Sequence, residues 1–78
     1  MRYYFHLRET AAYVCDEEGV ELDGAESARV TALKTARAII ASDALLGKVP
    51  LAATLEIEDE HGHRVLDLPF HEAVVLDG

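Results

Sequence analysis

Cysteine, tryptophan and basic side chains are scarce in this chain. The one cysteine, Cys15, excludes an internal disulfide and cannot build a thiolate metal cage, so a reducing compartment is the default. Only 7 Lys and Arg stand against 15 Asp and Glu, a formal net charge of −8. A body this acidic repels phosphate backbones and anionic headgroups unless a local basic patch overrides it. The basic residues are scattered from Arg2 to Arg64, so no nucleic acid and no membrane surface is expected as a partner. No stretch approaches the apolar length of a membrane span, and MRYYFHLRET carries charges where a signal peptide needs a continuous apolar core. A cytoplasmic protein is expected. There is no Gly-rich phosphate loop and no Ser or Cys in a nucleophile motif, and Cys15 precedes an acidic run that a thiolate nucleophile would avoid. The expectation is therefore a protein that is not an enzyme and takes no cofactor.

What is present suits one small domain, residues 1–78. Half the residues are apolar and 28% are charged, the balance of a folded chain rather than a disordered one. A chain this short buries only about 60–65% of the surface its unfolded form exposes. Association with a second copy would add appreciably to so modest a core.

RYYFHLR alternates, with Tyr3, Phe5 and Leu7 on one side and Tyr4, His6 and Arg8 on the other, which predicts a strand. A second extended piece at Ala12 to Cys15 returns against it. From Ala25 to about Leu46, Ala25, Ala28, Ala32, Leu33, Ala36, Ile39 and Ile40 share one arc of a helix, and Ser27, Thr31, Lys34, Ala38 and Ser42 cover the far side. Gly47 suits the left-handed position after the helix, and Pro50 prevents its resumption.

ATLEIED and RVLDLPF then read as two strands around EHGH. Leu55 and Ile57 share a face with Leu66 and Leu68 only if the loop has an even number of residues, so His61-Gly62 or Asp59-to-Gly62 forms the turn and the three-residue loop is rejected. The tail HEAVVLDG is a turn of helix or a last extended segment. These elements make an α+β fold, one helix on a small antiparallel sheet of three to four strands in the order β-α-β-β, with the final strand between the first and the penultimate one.

Six carboxylates fall within DEEGVELDGAE, residues 16–26. An EF-hand loop beginning at Asp16 would need Gly at its sixth position, whereas Gly19 is fourth, so calcium is excluded. The residues serve the helix instead: Asp23 as N-cap, Glu26 returning a bond as in a capping box, and Arg29, inside the apolar arc, tying down the acidic loop through Asp16, Glu17 or Glu21. His61 and His63 lie close to Glu58 and Glu60, a pattern able to hold zinc or nickel. Either even-numbered loop, however, puts His63 opposite a glutamate, and a cross-strand pair accounts for it without metal. Tyr4, His6 and Arg8 are the one place where aromatic, titratable and basic groups align. They form either an ordinary outer sheet face or a contact surface on an edge strand able to pair with its copy.

YYFHLR, DEEGVEL with AESARVTALKTARAI, and IEDEHGHRVLDLPFHEAV together resemble a group of small bacterial proteins catalogued as a domain of unknown function. That resemblance covers nearly the whole chain and brings no activity, cofactor or catalytic residue. AESARVTALKTAR, Ala25 to Arg37, is also similar to the helix of HicB-type antitoxin domains, although the Pro-rich segment that precedes such a helix and a DNA-binding domain are both missing. A small acidic interaction module that self-associates or meets a protein partner is the functional expectation; the alternatives are an antitoxin-like partner of a basic protein, or a metal or small-ligand binder.

Overall fold

The computed structural model describes residues 1–77; Gly78, the last residue of the tail, lies outside them. Its elements are β1 (Arg2–Arg8), β2 (Tyr13–Val14), β3 (Val20–Glu21), α1 (Ala25–Ala44), β4 (Thr54–Asp59) and β5 (Arg64–Pro69), followed by a short 3-10 turn at Phe70–Glu72. The fold is α+β, with α1 packed on one face of a five-stranded antiparallel sheet.

The helix meets the sheet through alanine. Ala28, Ala32 and Ala36, spaced one turn apart, are wholly buried, and Leu33, Ile39 and Ile40 flank them half-buried. Methyl groups along this line bring the helix backbone close to Leu55, Ile57, Leu68 and Phe70, which carry most of the core volume. Each such side chain, fully buried, contributes about 1.5–3 kcal/mol. At its C-terminal end the Lys48 N–H reaches the Asp43 carbonyl (3.0 Å), the Gly47 N–H reaches that of Ala44 (3.0 Å), and Gly47 has φ 82°. These are the paired bonds of a Schellman ending. Arg37 clamps the 3-10 turn by donating from Nε to the Ala73 carbonyl at 2.7 Å.

The N-terminal end differs from expectation. The cap is Gly24, without a side-chain bond, so Asp23 stands one residue too early and Glu26 falls at the second helical position rather than the third. Glu26 reaches forward and binds Arg29 at 2.8 Å. Arg29 is exposed and pairs there, not with Asp16, Glu17 or Glu21: Asp16 is engaged by backbone N–H groups, and Glu21 faces Arg2 at 3.8 Å.

The strand order is β2-β1-β4-β5, with β3 also on β1. The penultimate strand, not the last, therefore lies beside the first. Composition explains this: β4 buries Leu55 and Ile57 almost completely, whereas β5 carries Arg64, Asp67 and Pro69, residues suited to an edge. Along the hairpin, Leu55 faces Leu68 and Ile57 faces Leu66, one of the two expected registers. The loop is nonetheless the rejected three-residue one. Asp59 donates to the His63 carbonyl (2.9 Å) around Glu60, His61 and Gly62, and Gly62 has φ 80°. A bulge restores the parity, because Glu58 pairs with Arg64 while Ile57 pairs with Leu66, leaving Val65 as the extra residue. His63 consequently lies beside Asp59, 3.7 Å away, and not opposite Glu58 or Glu60.

The buried alanine line yields a direct expectation. Ala32→Leu overfills the helix–sheet contact and lowers stability by about 1–3 kcal/mol, whereas Ala38→Leu on the exposed side stays within about 0.5 kcal/mol. Urea unfolding midpoints of the two variants, compared at equal slope, check this.

Candidate functional site

Alternation along β1 places Tyr4, His6 and Arg8 together on the face turned away from the helix, as expected. The register with β4 then sets Glu58 opposite Tyr4 and Glu56 opposite His6. Side chains reach diagonally from there. Arg8 Nε donates to Glu56 Oε2 at 2.6 Å, and His6 Nε2 lies 3.6 Å from Glu58 Oε2. Arg64 on β5 approaches Glu56 at 3.4 Å and binds Asp67 at 2.6 Å. Glu56, buried between two guanidiniums, is held below the usual carboxylate range, first by its bond from Arg8, against the opposing effect of burial.

The aromatic groups close over this network. The Tyr4 ring stacks beside the His6 imidazole, 6.5 Å between centroids and 8° between planes, and the Arg8 guanidinium sits 4.4 Å from the centre of the Tyr13 ring. Tyr13 comes from β2, which pairs with the end of β1 through Leu7 and Arg8. Near the start of β1, Arg2 and Tyr3 pair with β3.

Between those two short strands, Asp16 spans the gap. Its carboxylate accepts the Phe5 N–H (3.0 Å) from β1 and the Glu18 and Gly19 N–H groups (3.1 Å each) from its own loop, while its own N–H donates to His6 Nδ1 (3.0 Å). With Nδ1 accepting, the neutral imidazole carries its proton on Nε2, toward Glu58. Gly19 is required where the loop presses on β1. It has φ 71°, and a Cβ there would lie 2.9 Å from the Tyr3 carbonyl oxygen and 2.9 Å from the Tyr4 ring.

The Tyr4–His6–Arg8 row is thus real but largely occupied: Arg8 and His6 engage Glu56 and Glu58 of their own sheet, His6 accepts from Asp16 of the strap of residues 9–22, and Tyr4 stacks on His6. Nor does β1 offer a free edge for a second copy, because β2, Asp16 and β3 cover it from end to end. Among the described residues no buried side-chain nitrogen or oxygen lacks a partner, and no three of His, Cys, Asp and Glu gather as a metal-binding group. No helix among them is long and apolar enough to cross a membrane.

A second feature lies at the opposite end of the helix and went unremarked in the sequence. Leu45, Leu46 and Val49 are 89%, 77% and 54% exposed, and the chain that follows them rims, at Pro50, Ala52 and Ala53, an open hollow of about 300 Å³ shared with Glu9 and Thr10. The signal that marks it is one of charge. Residues 38–53, AIIASDALLGKVPLAA, hold one acid and one base in a chain of net charge −8.

A family model described as "Domain of unknown function (DUF6894)" matches residues 2–71, and the chain belongs to that family. No curated protein and no solved structure matches it.

Asp16 gives the site its measurable consequence. Partial burial opposes its ionisation, but the N–H donors of Phe5, Gly19 and Glu18 outweigh it and hold its pKa below the ordinary value. Its stabilising effect is therefore complete above about pH 3.9, the unfolded value, and lost as pH falls through the folded one. Asp16→Ala should cost about 1–3 kcal/mol at neutral pH. The gap from wild type should hold from about pH 7 down to about pH 3.9 and close below it, as read from urea unfolding carried to about pH 2.

Proposed function

We propose that the protein is a non-catalytic protein-interaction module, and that its contact surface is the charge-poor C-terminal end of α1 rather than the Tyr4–His6–Arg8 face. One observation carries this reading: large apolar side chains are displayed on a fixed helix ending in a chain of net charge −8. Leu45 and Leu46 are the two residues of the helix ending that the Schellman bonds hold in place. Burying each against a partner would contribute about 1.5–3 kcal/mol, and such exposed apolar groups, gathered in one place, characterise interaction sites. Val75 and Leu76 are exposed as well, but on a segment outside any helix or strand.

The outer sheet face supports the same reading by contrast. Arg8 and Arg64 both pair with Glu56, so their charges compensate locally, and His6 is engaged by Glu58 and the Asp16 N–H. A group that spends its donors within the sheet offers little to a substrate or partner. The hollow between Arg37 and Val75 is open as well, and among the described residues no three of His, Cys, Asp and Glu gather there.

Photo-crosslinking tests the location. With p-benzoyl-phenylalanine in place of Leu46 or Val49, irradiation of cells that make the protein should give a discrete crosslinked protein band, and the same group in place of Arg64 should not. Absence of any crosslinked protein from both positions 46 and 49 would refute the reading.

A further inference from the structure

We infer that the strap of residues 9–22 is a proton-controlled latch: neutral His6 holds it on β1, and protonation of that imidazole makes it lift more often. The inference goes beyond the interaction reading and does not depend on it. Its first support is the way His6 is bonded. The residue is 7% exposed, and its Nδ1 accepts the Asp16 N–H at 3.0 Å. That bond joins β1 to the middle of the strap, between β2 and β3. An imidazolium has two N–H donors and no acceptor, so in either ring orientation the Asp16 N–H loses its partner. A donor left unpaired under cover favours whatever form of the chain lets water reach it.

The second support is how little else fastens the strap. β2 and β3 have two residues each, and Tyr13, Val14 and Val20 are all exposed. With little apolar area covered, the strap depends on hydrogen bonds, and segments of that kind open while the rest of a domain stays folded. β4, which buries Leu55 and Ile57, has no such freedom.

The charges around His6 set the direction. On β1 its neighbours are Tyr4, stacked beside it, and Arg8, which is bonded to Glu56. β2 brings the Tyr13 ring to 5.9 Å, with the exposed Cys15 following it. β4 sets Glu56 opposite and Glu58 Oε2 3.6 Å from Nε2, and Arg64 of β5 reaches Glu56. The helix lies on the other face of the sheet and adds no charge here. Glu58 attracts an imidazolium, but β1 and β4 stay paired whether the strap is down or lifted, so that attraction acts equally on both forms. The Asp16 N–H acts only on the closed form, and it opposes a proton on Nδ1. The Asp16 carboxylate also attracts the imidazolium, and its bonds to the Phe5, Glu18 and Gly19 N–H groups do not involve the ring. The closed form therefore stays the major one, and the proton changes how often the strap lifts. By linkage, the latch is firmest above the imidazole titration and weakens as pH falls through it.

Amide hydrogen exchange of the purified full chain, followed by NMR between about pH 8 and about pH 5 together with the His6 ring nitrogen shifts, tests this. As His6 gains its proton, the protection factors of the Phe5 and Gly19 amides, corrected for intrinsic exchange, should fall about tenfold, while those of Leu55 and Ile57 hold. In His6→Asn the side-chain carbonyl can accept the Asp16 N–H without titrating, so the step should vanish and the strap stay protected. His61, His63 and His71 are exposed, and any effect of theirs would persist in that variant. A charged His6 with unchanged protection at Phe5 and Gly19, a ring that stays neutral down to about pH 5, or a step that survives in His6→Asn overturns the inference. So does a loss at Leu55 and Ile57 equal to that at Phe5, since it marks opening of the whole sheet.

Discussion

The carboxylate of Asp16 is the point on which the N-terminal half of the structure turns. It takes one N–H from β1 and two from its own loop, and its own backbone N–H is held by His6. Those four bonds convert a strand with an open side into one that is closed along its length. β2 and β3 are too short to hold themselves in place, two residues each. They pair with β1 because Asp16 keeps the chain between them against it. Gly19 makes that approach possible, and Tyr13 is delivered over Arg8 as a result. The outer face, with its stacked Tyr4 and His6 and its buried Glu56, is a product of the same clasp.

On the other face the limiting feature is the width of an alanine. Three methyl groups let α1 lie close to the sheet, so few large side chains are needed to fill the space: Phe70, Leu55 and Ile57 are the bulkiest that are fully buried. The larger apolar residues of the helix, Leu33, Ile39 and Ile40, are only half-buried beside that line, and the leucines past its end face solvent. A small core and an exposed apolar ending are two results of one composition. In a chain of 78 residues, where folding leaves a margin of only about 4–12 kcal/mol, covering that ending would add materially to stability.

Local pattern was enough to read β1, the body of the helix and the shared face of Leu55, Ile57, Leu66 and Leu68, while it left two registers open for the hairpin. Each depends on periodicity or parity over a few residues. What escaped depends on partners distant in sequence. Strand order was misjudged because hydropathy alone does not say whether β4 or β5 borders β1. The three-residue loop was dismissed because parity counting admits no bulge, and Val65 supplies one. Asp23 looked like a cap, yet the chain remains extended through Gly24 and the helix begins a residue later. Within the candidate site, Tyr4, His6 and Arg8 were correctly placed on one face. Their occupation by Glu56, Glu58 and Asp16 could not be seen, since those residues come from 10 to 52 positions away.

The bulge at Val65 has a bearing beyond parity. With β1 sealed, the outer side of β5 is the long unpaired border among the described residues, and an unpaired border is what chains add to when they polymerise. Here Val65 interrupts the even spacing of its ladder groups, Arg64 and Asp67 put charges along it, and Pro69 removes a donor at its end. A strand so marked is a poor template for edge-to-edge addition. The molecule can crowd to high concentration without extending its sheet from copy to copy, and growth into fibres is blocked at the same border that an irregular hairpin happens to shape.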